Sequence, residues 1–178
     1  MDTIIIHDKT FEIFIGHETI LAAVKKLAHA LEKDFIGRTP LFLCVLNGSF
    51  IFSADLLKEY TGPAEISFIK LSSYQGTSTT EKVKTVIGLN EVVEGRDLVI
   101  LEDIIDSGIT VSHLVDDLEK LNPRSIKIVT LLLKPKALRT EIMPDYVGLE
   151  IPNDFIVGYG LDYNGLGRNL KNIYKIVG

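Results

Sequence analysis

Short apolar runs rich in β-branched residues alternate along this chain with amphipathic stretches of helical period. That alternation narrows the fold to an open, mainly parallel sheet flanked by helices. Residues 18–33, ETILAAVKKLAHALEK, set apolar side chains at helical spacing without Gly or Pro and predict a helix. LFLCVL (41–46) predicts a buried strand, GSFIFSADLLKEY (48–60) a turn and helix, and AEISFIKLSSY (64–74) a second strand. DLVILED (97–103) predicts a third strand, TVSHLVDDLEKLN (110–122) a helix closed before Pro123, and SIKIVTLLLK (125–134) a fourth strand. The β-α-β order implies right-handed crossovers and a doubly wound α/β architecture.

Two stretches break the pattern. QGTSTTEK (75–82) is small, polar and charged, and reads as a functional loop between strands. From about residue 136 onward the helical signal gives way to short strands, DYVGLEI and DFIVGYGL, which predict a small C-terminal lobe over one end of the sheet.

The 178 residues fit one domain with a real core, and the formal net charge of −5 excludes broad electrostatic binding of nucleic acid. Cys44, the single cysteine, lies in an apolar run and reads as a small buried hydrophobe. MDTIIIHDKT lacks the basic and apolar regions of a leader, and no run approaches a membrane span. The chain is therefore expected to be cytoplasmic and complete, with no membrane partner. His7, His17, His29 and His113 show no metal-ligand spacing.

The densest chemistry lies in VILEDIIDSGIT (99–110), where Glu102, Asp103 and Asp106 follow a buried strand and precede a Ser-Gly-x-Thr turn. In open α/β sheets, ligands bind beyond the carboxyl ends of the strands. Free amides at the start of the next helix, the Ser107 and Thr110 hydroxyls and the helix dipole can together cradle a phosphate, with Gly108 allowing close backbone approach. A lone DSG is more simply a helix cap. A cap needs one acid, however, and this segment carries three.

The segment resembles the phosphoribosyl pyrophosphate (PRPP) motif of the type I phosphoribosyltransferases: an apolar strand, two acids, two apolar residues, then Asp-Ser/Thr-Gly-x-Thr. VLNGSF, SSY, LLLKPKA, DYVGLEIPNDFIVGYGLDYN and Arg168 follow the order of the hypoxanthine-guanine branch, so the resemblance spans nearly the whole chain. It implies the type I phosphoribosyltransferase fold over 1–178, with a core at about 35–135 and a hood from about 136–178 plus N-terminal residues. It also implies purine salvage, in which PRPP and hypoxanthine or guanine give IMP or GMP and pyrophosphate. A xanthine-preferring enzyme, or an RNA-binding regulator of the same fold, is the alternative.

The resemblance further assigns roles. Asp106, Ser107, Gly108, Ile109 and Thr110 would hold the 5′-phosphate, while Glu102 and Asp103 would face the ribose hydroxyls and Mg2+, whose suitable ligands are hard carboxylate oxygens. Asp106 would accept the purine proton as general base. Lys134 would read the oxygen at purine position six, Phe155 would stack on the base, and Ile156 would offer backbone contacts. Asp162 would bind magnesium near the base, and Arg168 would grip pyrophosphate with Asn47 and Gly48. Asn47 departs from the Lys or Arg of many relatives, and the Leu46–Asn47 bond is the place of a family cis peptide. Ser73 and Tyr74 would lead into the loop 75–82, which closes during reaction. A homodimer or homotetramer is implied.

Overall fold

A computed structural model describes residues 3–74 and 82–177, so the predicted closing loop lies outside the described residues except for its last position, 82. The chain opens with the hairpin β1 (Thr3–Ile6) and β2 (Lys9–Ile15), followed by α1 (His17–Asp34), β3 (Leu41–Leu46) and α2 (Phe50–Glu59). Next come β4 (Glu65–Tyr74), β5 (Lys82–Ile87), β6 (Asp97–Ile105), α3 (Ile109–Glu119) and β7 (Ser125–Leu133). A 3-10 turn, Pro135–Ala137, leads to β8 (Tyr146–Glu150), β9 (Ile156–Val157) and β10 (Ile173–Ile176).

The large sheet has the order β5-β4-β3-β6-β7-β8. Its pairings are parallel except for β5 against β4. Successive side chains of a strand point to opposite faces, and here both faces are covered. Phe42, Cys44, Val99, Leu101, Val129 and Leu131 join the core beneath α1 and α2. Leu41, Leu43, Val45, Leu98 and Ile100 join Val111, Leu114 and Leu118 of α3 on the other side. Two-sided burial explains why these strands read as continuous apolar runs. Helix α1 supplies Ile20, Ala23, Val24, Leu27, Ala28 and Leu31 as one buried stripe. Cys44 is buried, as expected for a small hydrophobe.

The second sheet, β1-β2-β10-β9, is antiparallel. It has its own small core of Ile6, Phe11, Val157 and Tyr174. One assignment changes: DYVGLEI belongs to the large sheet, where Tyr146–Glu150 lies parallel beside β7 as its edge strand. The strand is short and half-buried, so its periodicity carries no sign of which sheet it joins. The N-terminal hairpin, whose ends turn at His7 with a positive φ, supplies half of the small sheet.

Candidate active site

Strand β6 runs to Ile105, two residues beyond its predicted end, so Glu102 and Asp103 lie inside the sheet and not past its edge. Both are buried, at 7% and 8% exposure. Neighbours on a strand face opposite ways, so the two carboxyls meet different surroundings. Glu102 lines a cavity of about 120 Å³ with Asp106, Ser107, Gly108 and Thr110. Asp103 packs against the loop after β3, where a Cβ added to Gly48 would lie 1.9 Å from its Oδ2. Burial, reinforced by the Asp103 charge, holds the Glu102 carboxyl well above its ordinary range. Burial likewise pushes Asp103 up to about 6, while the Ile104 and Asp103 amides and the Arg168 charge pull the other way.

The turn between β6 and α3 is shaped for an anion. Gly108 has φ +79° and caps α3, whose first turn carries no acid. Ser107 Oγ accepts from the Ile109 amide at 3.4 Å, and the Ser107 carbonyl is held by the Arg139 amide at 2.9 Å. A Cβ on Gly108 would meet Thr140 Oγ1 at 2.4 Å, so this position requires glycine for space as well as for conformation. Thr140 Oγ1 is itself buried without a hydrogen-bond partner among the described residues. Ile109 and Thr110 begin the helix, as the phosphate cradle requires.

Lys134 directly follows β7, and its amide donates to the Ile105 carbonyl at 3.0 Å. Its Nζ donates to Asp106 Oδ2 at 3.0 Å, with the lysine nearly buried and the aspartate half-exposed. The lobe approaches from the other side. Phe155 is half-exposed and meets Tyr163 edge to face at 5.7 Å, and Ile156 is buried at the start of β9. Arg168 pairs with Asp162 Oδ1 at 2.6 Å and donates to the Gly160 carbonyl at 2.6 Å. Asp162 Oδ2 accepts the Gly165 amide at 2.7 Å. Gly160 lies against the loop after β3, since a Cβ there would sit 1.9 Å from the Gly48 carbonyl oxygen. The Leu46–Asn47 peptide is cis, and the Asn47 side chain is exposed.

Two groups therefore form: Glu102, Asp106, Ser107, Gly108, Thr110 and Lys134 on one side, and Asp103, Gly48, Asp162 and Arg168 on the other. Glu102 and Asp103 lie apart from Asp162, in keeping with the separate magnesium position that the resemblance gives Asp162. Among the described residues no three His, Cys, Asp or Glu side chains meet at ligand distance. Ser73 and Tyr74 are the last residues of β4. Sequence reasoning passed over Tyr159, Asp55 and Thr140. A tyrosine between two glycines, GYG, was the available signal for the first.

A mainly parallel sheet whose carboxyl edge joins a glycine turn at a helix start to buried acids, without an ion pair among the described residues, is the layout of an α/β ligand-binding protein. The sequence profile described as "Phosphoribosyl transferase domain" matches residues 15–164. The hypoxanthine-guanine phosphoribosyltransferase of Lactococcus lactis is 43% identical over 93% of this chain and 91% of its own length. A Bacillus anthracis hypoxanthine-guanine phosphoribosyltransferase structure superposes with TM-score 0.89 at 40% identity, covering 93% of this chain and 98% of that one. The bifunctional protein TilS/HprT of Listeria monocytogenes is 43% identical over 94% of this chain, which spans 26% of that longer protein. The chain belongs to the phosphoribosyltransferase family, in its hypoxanthine-guanine branch.

Proposed function

We propose that the chain transfers the 5-phosphoribosyl group of PRPP to hypoxanthine or guanine, giving IMP or GMP and pyrophosphate. The observation that carries this is the Lys134–Asp106 pair at 3.0 Å above the phosphate turn. A 6-oxopurine presents an acceptor, O6, beside a ring nitrogen, N7, that can carry the departing proton. Lys134 matches the first and Asp106 the second, whereas adenine offers a donor at position six and mismatches the lysine. The relatives from Lactococcus lactis and Bacillus anthracis are named hypoxanthine-guanine phosphoribosyltransferases, which supports this reading over an RNA-binding regulator.

In this reading the α3 turn holds the 5′-phosphate, and Glu102 and Asp103 hold the ribose hydroxyls. A purine ring nitrogen forms the new bond to the anomeric carbon as the bond from that carbon to pyrophosphate breaks. The ring proton passes toward Asp106. The buried acids favour the cationic character that the sugar gains. Phe155 stacks on the base beside Ile156, and Arg168, with the loop carrying Asn47 and Gly48, receives pyrophosphate.

The two buried carboxylates, which make no ion pair among the described residues, fit Mg2+, which binds through one or two carboxylates together with substrate phosphates. Asp162, already engaged by Arg168 and the Gly165 amide, fits it less well. When bound, the ion neutralises the leaving pyrophosphate. The half-exposed Ile66 and Phe68 on one face of β4 support self-association as a homodimer or homotetramer, which light scattering would check. No helix among the described residues is long and apolar enough to cross a membrane. We place the reaction in the cytoplasm.

Incubation with PRPP, magnesium and each purine should yield nucleotide with hypoxanthine or guanine, and no product with either overturns the reading. Asp106→Asn should lower kcat about 10²- to 10⁴-fold with the fold intact. Lys134→Gln should mainly weaken base choice, and equal loss for every purine would remove its selective role.

A further inference from the structure

We infer that Tyr159 and Asp55 form a positioning pair that sets the pyrophosphate end of the site, an inference that rests on the phosphoribosyl-transfer reading above. Tyr159 is buried to 1% exposure, and its hydroxyl donates to Asp55 Oδ2 of α2 at 2.6 Å. The bond ties the GYG segment of the lobe to the helix that begins directly after the loop of Asn47 and Gly48.

The backbone around Tyr159 is unusual and held on several sides. Gly158, Tyr159 and Gly160 have φ of +107°, +49° and +103°, a conformation that a tyrosine adopts only when its surroundings fix it. The Tyr159 amide donates to Leu170 O at 2.8 Å and the Gly160 amide to Arg168 O at 2.9 Å. This reversal lays Gly160 flat on the Gly48 carbonyl, with no room for a Cβ between them. The Gly160 carbonyl in turn accepts from Arg168 Nη1 at 2.6 Å. One residue therefore sets both the height of the β3–α2 loop and the placement of the Arg168 guanidinium.

Asp55 closes the circuit. The loop after β3 is tied to the start of α2 by Ser49 Oγ, which donates to Val45 O at 2.6 Å, and Asp55 lies farther along the same helix. Gly160 touches the loop while Tyr159 holds the helix, so loop, helix and lobe form a closed ring of contacts. Without the phenol bond, the lobe keeps its packing but loses its fixed distance to the loop. Burial and the Asp55 carboxylate both keep the phenol protonated, and so a donor, throughout the working pH range. The pair touches no reacting atom, and its effect reaches the reaction through Gly160, Gly48 and Arg168.

Tyr159→Phe preserves volume and removes only the hydroxyl. With active wild-type protein as reference, its KM for PRPP and its dissociation constant for magnesium pyrophosphate should each rise about tenfold, with the KM for hypoxanthine within about twofold. Asp55→Ala should reproduce that split. Asp55→Asn, which still accepts the phenol hydrogen bond, should stay within about twofold of wild type. The double variant Tyr159→Phe/Asp55→Ala should be no worse than either single change, because both remove the same bond. Equal rises in both KM values, or unaltered PRPP and pyrophosphate parameters in folded Tyr159→Phe and Asp55→Ala, would overturn the pairing. An inactive wild type would sink the transfer reaction instead, and calorimetric titration of magnesium pyrophosphate into the wild type and both variants would still decide the pair.

Discussion

Strand β6 holds acids out of water at both of its ends, and it treats them in opposite ways. At its start, Asp97 is fully compensated: Arg124 approaches at 3.0 Å, Arg38 at 3.5 Å and the Ser125 hydroxyl at 2.7 Å. At its end, Glu102 and Asp103 are just as buried, but the described residues offer them no ion pair, and their carboxyls are pushed upward. A buried charge left without a partner costs stability, so a chain keeps one where a ligand will complete it. Asp97 ties neighbouring elements together at one end of the strand, while Glu102 and Asp103 are the groups that the proposed reaction would match to the ribose hydroxyls and magnesium.

The largest expected effect breaks the compensated end. Asp97→Ala should lower unfolding free energy by about 3 kcal/mol, toward the lower limit for broken buried pairs because both arginines are partly exposed. Chemical denaturation would measure this, with activity per folded molecule unchanged. Next comes the uncompensated end. Glu102→Gln with Asp103→Asn should cost activity about 10²- to 10³-fold while leaving the thermal midpoint equal or higher. A double variant that is both active and less stable would abolish the contrast between the two ends.

A smaller effect sharpens it. Gly48→Ala drives a Cβ into the Asp103 carboxylate, and the KM for PRPP should rise about tenfold as that side chain is displaced, as steady-state kinetics would show. The smallest effect is the pH dependence of stability. Asp103 titrates near 6 in the folded chain and Glu102 also above its ordinary value, against about 4 for carboxylates in an unfolded one. From pH 4 upward through 6 the folded chain then binds more protons than the unfolded chain, so these two groups make stability fall as pH rises. Thermal midpoints should coincide for wild type and the Glu102/Asp103 double variant near pH 4 and separate in favour of the variant by pH 8. A constant gap would mean that the acids are compensated after all.

The parallel core was legible because burial on both faces leaves continuous apolar runs, and the phosphate turn because its chemistry is local, packed into residues 102–110. What escaped the sequence is non-local. Tyr146–Glu150 carries no sign of which sheet it completes, and the hairpin at Thr3–Ile15 becomes part of a sheet only through β10. Glu102 and Asp103 read as one pair, yet the strand sends them to opposite faces. Asp162 stands apart from them, held by Arg168 and the Gly165 amide of the small lobe. Asp55 and Tyr159 meet across a large sequence separation, which no spacing rule anticipates.

The order β1-β2-β10-β9 also says something about time. As the chain is made, the hairpin emerges first but cannot gain its central neighbour until Ile173–Ile176 has followed. Contacts of such separation are late to form, because the intervening chain must be closed first. The large sheet and its phosphate turn can thus assemble while the hood is still open. If Arg168 grips pyrophosphate as proposed, that contact should be among the last to form.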